Sequence, residues 1–164
     1  MSKADNRSLD VIIETPKGDR NKYVYDQKKK AYRLKKILPA GSVFPFDFGF
    51  IPDTRGEDGD PLDVLVIMDE PAYPGCILEV QIIGVLKALQ IEKNKAVRND
   101  RLVAVSTASH MYKGLEEITD LDKNIQEEIK QFFVSYNMLA GKEFKPEGWE
   151  GAKKARKLIK KAAI

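Results

Sequence analysis

Three carboxylates crowd into six residues at Asp58-Gly59-Asp60-Pro61-Leu62-Asp63, preceded by Glu57 and running straight into the apolar Val64-Leu65-Val66. On an extended backbone Asp58 and Asp60 project to one side, Gly59 permits a tight turn between them, and Pro61 fixes the chain before Asp63. Hard oxygen donors at this density suit a divalent metal. Magnesium fits best, because it keeps several waters and takes only one or two carboxylates plus the phosphates of a substrate. An acidic surface turn before a strand has the same composition for purely local hydrogen-bonding reasons. An EF-hand is excluded, since that loop needs oxygen at its fifth position and glycine at its sixth, where this chain has Leu62 and Asp63. With one cysteine, Cys76, and one histidine, His110, no Cys/His zinc cluster can be assembled either.

The elements that must position this loop are read from periodicity. Leu9 to Glu14 is a β-branched run ended by Pro16 and Gly18, with Glu14 at its end, and Asn21 to Asp26 and Ala31 to Leu38 alternate as strands do. Val43 to Pro52 is dense in phenylalanine but interrupted by proline, and reads as an irregular wall segment rather than a central strand. Leu62 to Met68 and Cys76 to Glu92 are the strongest strand signals, with Gly84 marking a bend or bulge. Glu92 to Arg101 reads as a hairpin connection and Leu102 to Val105 as the returning strand. Helical spacing begins near Thr119, through Leu121, Ile125, Ile129, Phe132, Phe133 and Tyr136, and stops at Gly141. A second helix is expected from near Trp149 to the terminus. Strands first and helices after predict an α+β class, a partly closed antiparallel barrel with two helices packed outside.

Bulk properties bound the rest. The 164 residues are expected to form a single domain, 1–164, large enough for one core without disulfides. No apolar run is long enough to span a bilayer, and the polar Met1 to Asp10 lacks the core of a secretory signal, so a cytoplasmic protein is expected. The net charge of +3 is uneven, with one cationic cluster over Lys28 to Lys36 and another over Lys153 to Lys161. Either could attract polyanions, but the C-terminal cluster reads as a solvated helix face. Aromatics beside proline, not interleaved with basic residues, argue against nucleic acid as a partner.

With the acidic loop, Glu14, the Lys22-Tyr23 strand, Phe-Pro-x-x-Phe-Gly-Phe and Phe-Lys-Pro-Glu-Gly-Trp in hand, the chain resembles the soluble family I inorganic pyrophosphatases over nearly its whole length. The Asp-Gly-Asp-Pro-x-Asp motif is the most specific part and is met in full. The resemblance implies a barrel like an oligonucleotide-binding fold, magnesium dependence with manganese as a substitute, hydrolysis of pyrophosphate to two phosphates, and a homo-oligomer, usually a hexamer. It also implies that Asp58 and Asp63 hold metals, that Asp60 orients the attacking water and accepts its proton, and that Glu14 contacts a hydrated metal. Lys22, Lys36, Arg101 and Tyr136 would then hold phosphate oxygens.

The family pattern is broken at several positions. Val24 stands where a carboxylate is expected, and Gln90 and Asn99 stand at two further metal-binding aspartate positions. Asp100 and Glu92 are the carboxylates that could substitute if the register shifts by one or two residues. Lys36 replaces an arginine, Arg101 a lysine, Phe44 and Phe48 replace tyrosines, and Asn137 replaces a lysine. Two readings follow: a pyrophosphatase with a reduced metal cluster, or a catalytically impaired homologue that binds phosphate or a divalent metal.

Overall fold

The structure, a computed structural model, describes residues 8–164; the polar lead-in before residue 8 lies outside the described residues. The elements run β1 (Ser8–Thr15), β2 (Asn21–Asp26), β3 (Ala31–Ile37), β4 (Asp47–Phe50), β5 (Asp63–Ile67), β6 (Ile77–Glu92), β7 (Lys95–Arg98), β8 (Arg101–Ser106), α1 (Lys123–Leu139), β9 (Glu143–Gly151) and α2 (Ala152–Ala162). Pairing passes from β1 to β4, β5, β8 and β6 and returns from β6 to β1, so five strands form a ring. This is the expected oligonucleotide-binding-like barrel of an α+β protein, with one parallel joint, β5 on β8, in an otherwise antiparallel set. β2 and β3 make a separate hairpin beside it.

Alternation along β5 and β8 explains why both read as unbroken apolar runs: each is buried on both faces. Leu65, Ile67, Val103 and Val105 point into one core, shared with Phe44, Phe48, Phe144 and the α1 residues Ile129, Phe133 and Tyr136. Val64, Val66, Leu102 and Ala104 point into the other, shared with Val11, Ile13 and Ala155 and flanked by Leu158 and Ile159 of α2. Each helix therefore covers a different side of the same strands. By the same alternation Asp63 and Arg101 belong to the α1 side and Asp100 to the α2 side.

Three element boundaries differ from expectation. Thr119 sits in a short 3-10 turn over Ile118–Asp120, and α1 starts at Lys123 because the Asp122 carboxylate accepts the Asn124 amide at 2.7 Å as its cap. The second helix starts at Ala152, not near Trp149, because Glu143–Gly151 pairs as β9 with the far half of β6. A strand holding Pro146, Gly148 and Gly151 has little propensity of its own and is made by its partner. Within the proline-rich wall, Asp47–Phe50 is a true strand between β1 and β5, with Pro45 and Pro52 just outside it.

The β6 register against β8 shifts between Ile82 and Gly84, as the glycine suggests, and a side chain at 84 would meet Ile118 Cβ at 2.7 Å and the Glu150 carbonyl at 2.8 Å. Gly84→Ala is expected to cost about 2 kcal/mol or more, read as a lowered urea midpoint with an unchanged slope. An unchanged midpoint would contradict this packing.

Candidate functional site

The barrel edge on the α1 side gathers most of the residues that the sequence singles out. In the parallel register Val64 lies opposite Leu102, so Asp63 and Arg101, one residue earlier on each strand, stand side by side. The Arg101 guanidinium is ion-paired with Asp63. Its other surroundings are aromatic: it lies 4.9 Å from the Phe133 ring centre and 5.9 Å from those of Phe48 and Phe144. Tyr136, one turn along α1 from Phe132, carries Lys36 over its ring at 4.3 Å and Lys22 at 5.0 Å, and its buried hydroxyl has no protein partner. That hydroxyl is a free donor on a ring that carries two ammonium groups over it. Burial raises its pKa well above the ordinary phenol value.

β2 and β3 deliver the lysines through a bulge. Lys22 pairs with Lys36, but the next residue, Tyr23, pairs with Leu34, which leaves Lys35 as an extra residue. Two consecutive side chains can then approach one side, which strict alternation forbids. The charge of Lys35 acts on both Glu14 and Lys22. A period-of-two reading of Ala31 to Leu38 places Lys35 on the far face, so it is the site residue that the sequence reading missed; the only signal was the run Arg33-Leu34-Lys35-Lys36 itself.

The acids are arranged less tightly. Asp58 accepts the Asp60 amide at 3.0 Å, which shapes the turn, while Asp60 itself is exposed. Glu14, on β1, accepts the Tyr25 amide at 2.9 Å. Burial pushes its carboxyl up from 4.5 to about 7, with the Asp63 charge adding to the rise. Burial likewise raises Asp58, helped by repulsion from Asp60 and Asp63. Lys22 is pushed down to about 8 by burial and then by Lys35. Among the described residues no three acidic, histidine or cysteine side chains stand close enough to cage an ion. The donor chemistry nevertheless fits a hydrated divalent ion. Asp58, Asp60, Asp63 and Glu14 are all oxygen donors, and their mutual repulsion is what a cation would relieve.

On the opposite strand pair Gln90 and Asn99 are committed to each other, the Asn99 amide donating to Gln90 Oε1 at 2.7 Å. The carboxylates considered as substitutes do not join them. Asp100 accepts Lys87 at 2.8 Å, Arg98 at 2.9 Å and the Ala88 amide at 2.9 Å, on the other side of the strand. Glu92 is exposed and stands 3.9 Å from Lys142. Asn137 is turned into α1, donating to the Phe133 carbonyl at 2.7 Å, and Phe44 packs on Phe48, Phe132 and Tyr136.

The raised Glu14 pKa has a definite sign. Between about 4.5 and about 7 the native protein binds more protons than the unfolded chain, so Glu14's stabilising contribution is complete at low pH and is lost as pH rises through 7. Urea unfolding without metal at about pH 5 and about pH 7.5 should show the wild-type protein gaining stability towards the lower pH relative to Glu14→Gln. Identical slopes in the two proteins would contradict the assignment.

Comparison with known proteins gives the arrangement its context. A family model described as inorganic pyrophosphatase matches residues 11–164. A Methanosarcina acetivorans protein named inorganic pyrophosphatase is 37% identical over 152 residues, 93% of this chain and 88% of that one. A protein of the same name from Halalkalibacterium halodurans is 35% identical, covering 92% and 90%. Among solved structures, the inorganic pyrophosphatase of Thermus thermophilus superposes with a TM-score of 0.88 at 33% identity, over 99% of this chain and 92% of that one. On fold, on sequence and on the complete acidic loop, the chain belongs to the inorganic pyrophosphatase family.

Proposed function

We propose that this protein hydrolyses inorganic pyrophosphate to two phosphates with a divalent metal, magnesium before manganese. The observation that carries the reading is the meeting of an acidic loop with a cationic, aromatic-walled cluster at one barrel edge: Asp63 against Arg101, and Lys22 and Lys36 over Tyr136. Pyrophosphate is a compact polyanion, and a water attacking it is repelled unless its oxygens are neutralised. Asp58, Asp60, Asp63 and Glu14 would hold the metal, which when bound supplies charge neutralisation and a lowered pKa for water. Asp60, which is exposed in the loop, orients the water and takes its proton as the oxygen bonds to phosphorus. Lys22, Lys36 and Arg101 draw charge from the phosphate oxygens, so that the bridging bond breaks towards a stabilised leaving phosphate. Arg101 spends only one nitrogen on Asp63, which leaves donors for a phosphate. The unpartnered Tyr136 hydroxyl is one more.

A second reading, phosphate or metal binding without turnover, is favoured by one observation. Gln90 and Asn99 satisfy each other, and Asp100 is neutralised elsewhere, so one wall of the site contributes no anion. A cytoplasmic homo-oligomer, a hexamer by resemblance, completes the proposal. It is supported by a free Cys76 and by exposed apolar side chains such as Ile37, Tyr73 and Met138. No helix of the described residues is long and apolar enough to cross a membrane.

Phosphate release from pyrophosphate by the purified protein, with magnesium and with manganese, tests the first reading. Asp60→Asn should lower the rate by about a hundredfold or more while leaving the fold intact. No release above that variant would remove the hydrolytic reading and leave the binding one.

A further inference from the structure

The face of β6 and β8 opposite Arg101 borders a cleft of about 440 Å³ between the acidic loop and α2. Its helical wall presents Lys154, Lys157 and Lys161, spaced so that all three share one side of the helix, and its loop wall presents Arg55. The two walls are fastened together. The Arg55 amide donates to the Ala162 carbonyl at 2.9 Å, and the Ile164 amide to the Asp53 carbonyl at 3.0 Å.

Most carboxylates lining the cleft are already matched. Asp63 is held by Arg101, Asp100 by Lys87 and Arg98, and Glu150 by Lys154 at 3.4 Å. Among the described residues Arg55, Lys157 and Lys161 have no carboxylate within ion-pairing distance. Glu57 and Asp58 remain on the opposite wall, so the cleft is bipolar: cations on one side, two free acids on the other. A bare anion is repelled by the second wall, whereas a phosphate chain carrying a chelated cation suits both. Lys157 and Lys161 are about 6 Å apart along the helix axis, a span longer than a single phosphate. No aromatic residue lines the cleft, so a nucleobase would find nothing to stack on.

We propose that this cleft binds a linear condensed phosphate longer than pyrophosphate, held by Arg55, Lys157 and Lys161. The basic C-terminal helix is then a ligand-binding wall and not only the solvated face that its sequence implies. The inference goes beyond hydrolysis at the Asp60 loop: the cleft shares Asp58 and Asp63 with that loop, but the three cations that hold the chain lie outside it.

Calorimetry of magnesium tripolyphosphate binding to the full chain carrying Asp60→Asn, which suppresses turnover, at about 0.15 M salt, tests it, with the further substitutions made in that background. Lys157→Glu with Lys161→Glu should weaken binding by at least about tenfold. Lys153→Glu with Lys160→Glu reverses the same charge on exposed positions of the same helix outside the cleft, and should change it less than about threefold. Equal losses in the two pairs, or none in the first, would overturn the site, with circular dichroism confirming that both fold. Tighter binding of ATP or of a short oligonucleotide than of tripolyphosphate, sensitive to the first pair, would also overturn it in favour of a nucleotide or nucleic-acid ligand.

Discussion

An arginine left only 5% exposed must have its charge answered locally, and Arg101 is answered by Asp63 on one side and by three phenylalanine rings on the other. That requirement ties distant parts of the chain together. It needs the parallel register of β5 with β8, the α1 face that brings Phe133, and the β9 strand that brings Phe144. Removing Asp63 would leave a buried cation whose Nε already has no partner. The same pair stands at the junction between acidic loop and lysine cluster, so the element that stabilises the barrel edge also sets the distance between the groups proposed to hold metal and phosphate.

Charge around that junction is lopsided. Burial is the main cause on both sides: it pushes Lys22 down to about 8, with the Lys35 charge adding to the fall, and pushes Glu14 up to about 7, with Asp63 adding to the rise and Lys22 and Lys35 opposing it. An ion among the carboxylates and a phosphate among the cations would each relieve the strain that their own side carries. At the positions where the resemblance alone implies further carboxylates, this chain has Val24 and the mutually bonded Gln90 and Asn99. Metal binding in the proposed account is therefore one-sided, resting on the Asp58 to Asp63 loop and Glu14.

The acidic loop, the α+β class and the burial of the phenylalanines of the aromatic wall were legible in the sequence because each rests on local pattern: dense carboxylates, runs that alternate or stay apolar, a helical stripe. What escaped has non-local causes. β9 exists because β6 is long enough to pair its second half, and nothing within Glu143–Gly151 signals a strand. Lys35 reaches the site through a bulge, which breaks the period that would have placed it. Asp100 looked like a spare ligand beside Asn99, yet one step along a strand turns it to the opposite face, where Lys87 and Arg98 claim it. The basic side of α2 was visible as charge, but the loop wall that makes it half of a cleft was not.

Magnesium binding measured by calorimetry on two substituted proteins tests the one-sided metal site most directly. The account predicts that Gln90→Ala with Asn99→Ala leaves the affinity within about threefold of wild type, whereas Asp58→Asn lowers it by about tenfold or more. Loss of binding in the amide double variant, with affinity retained in Asp58→Asn, would contradict it and move the metal to the other wall.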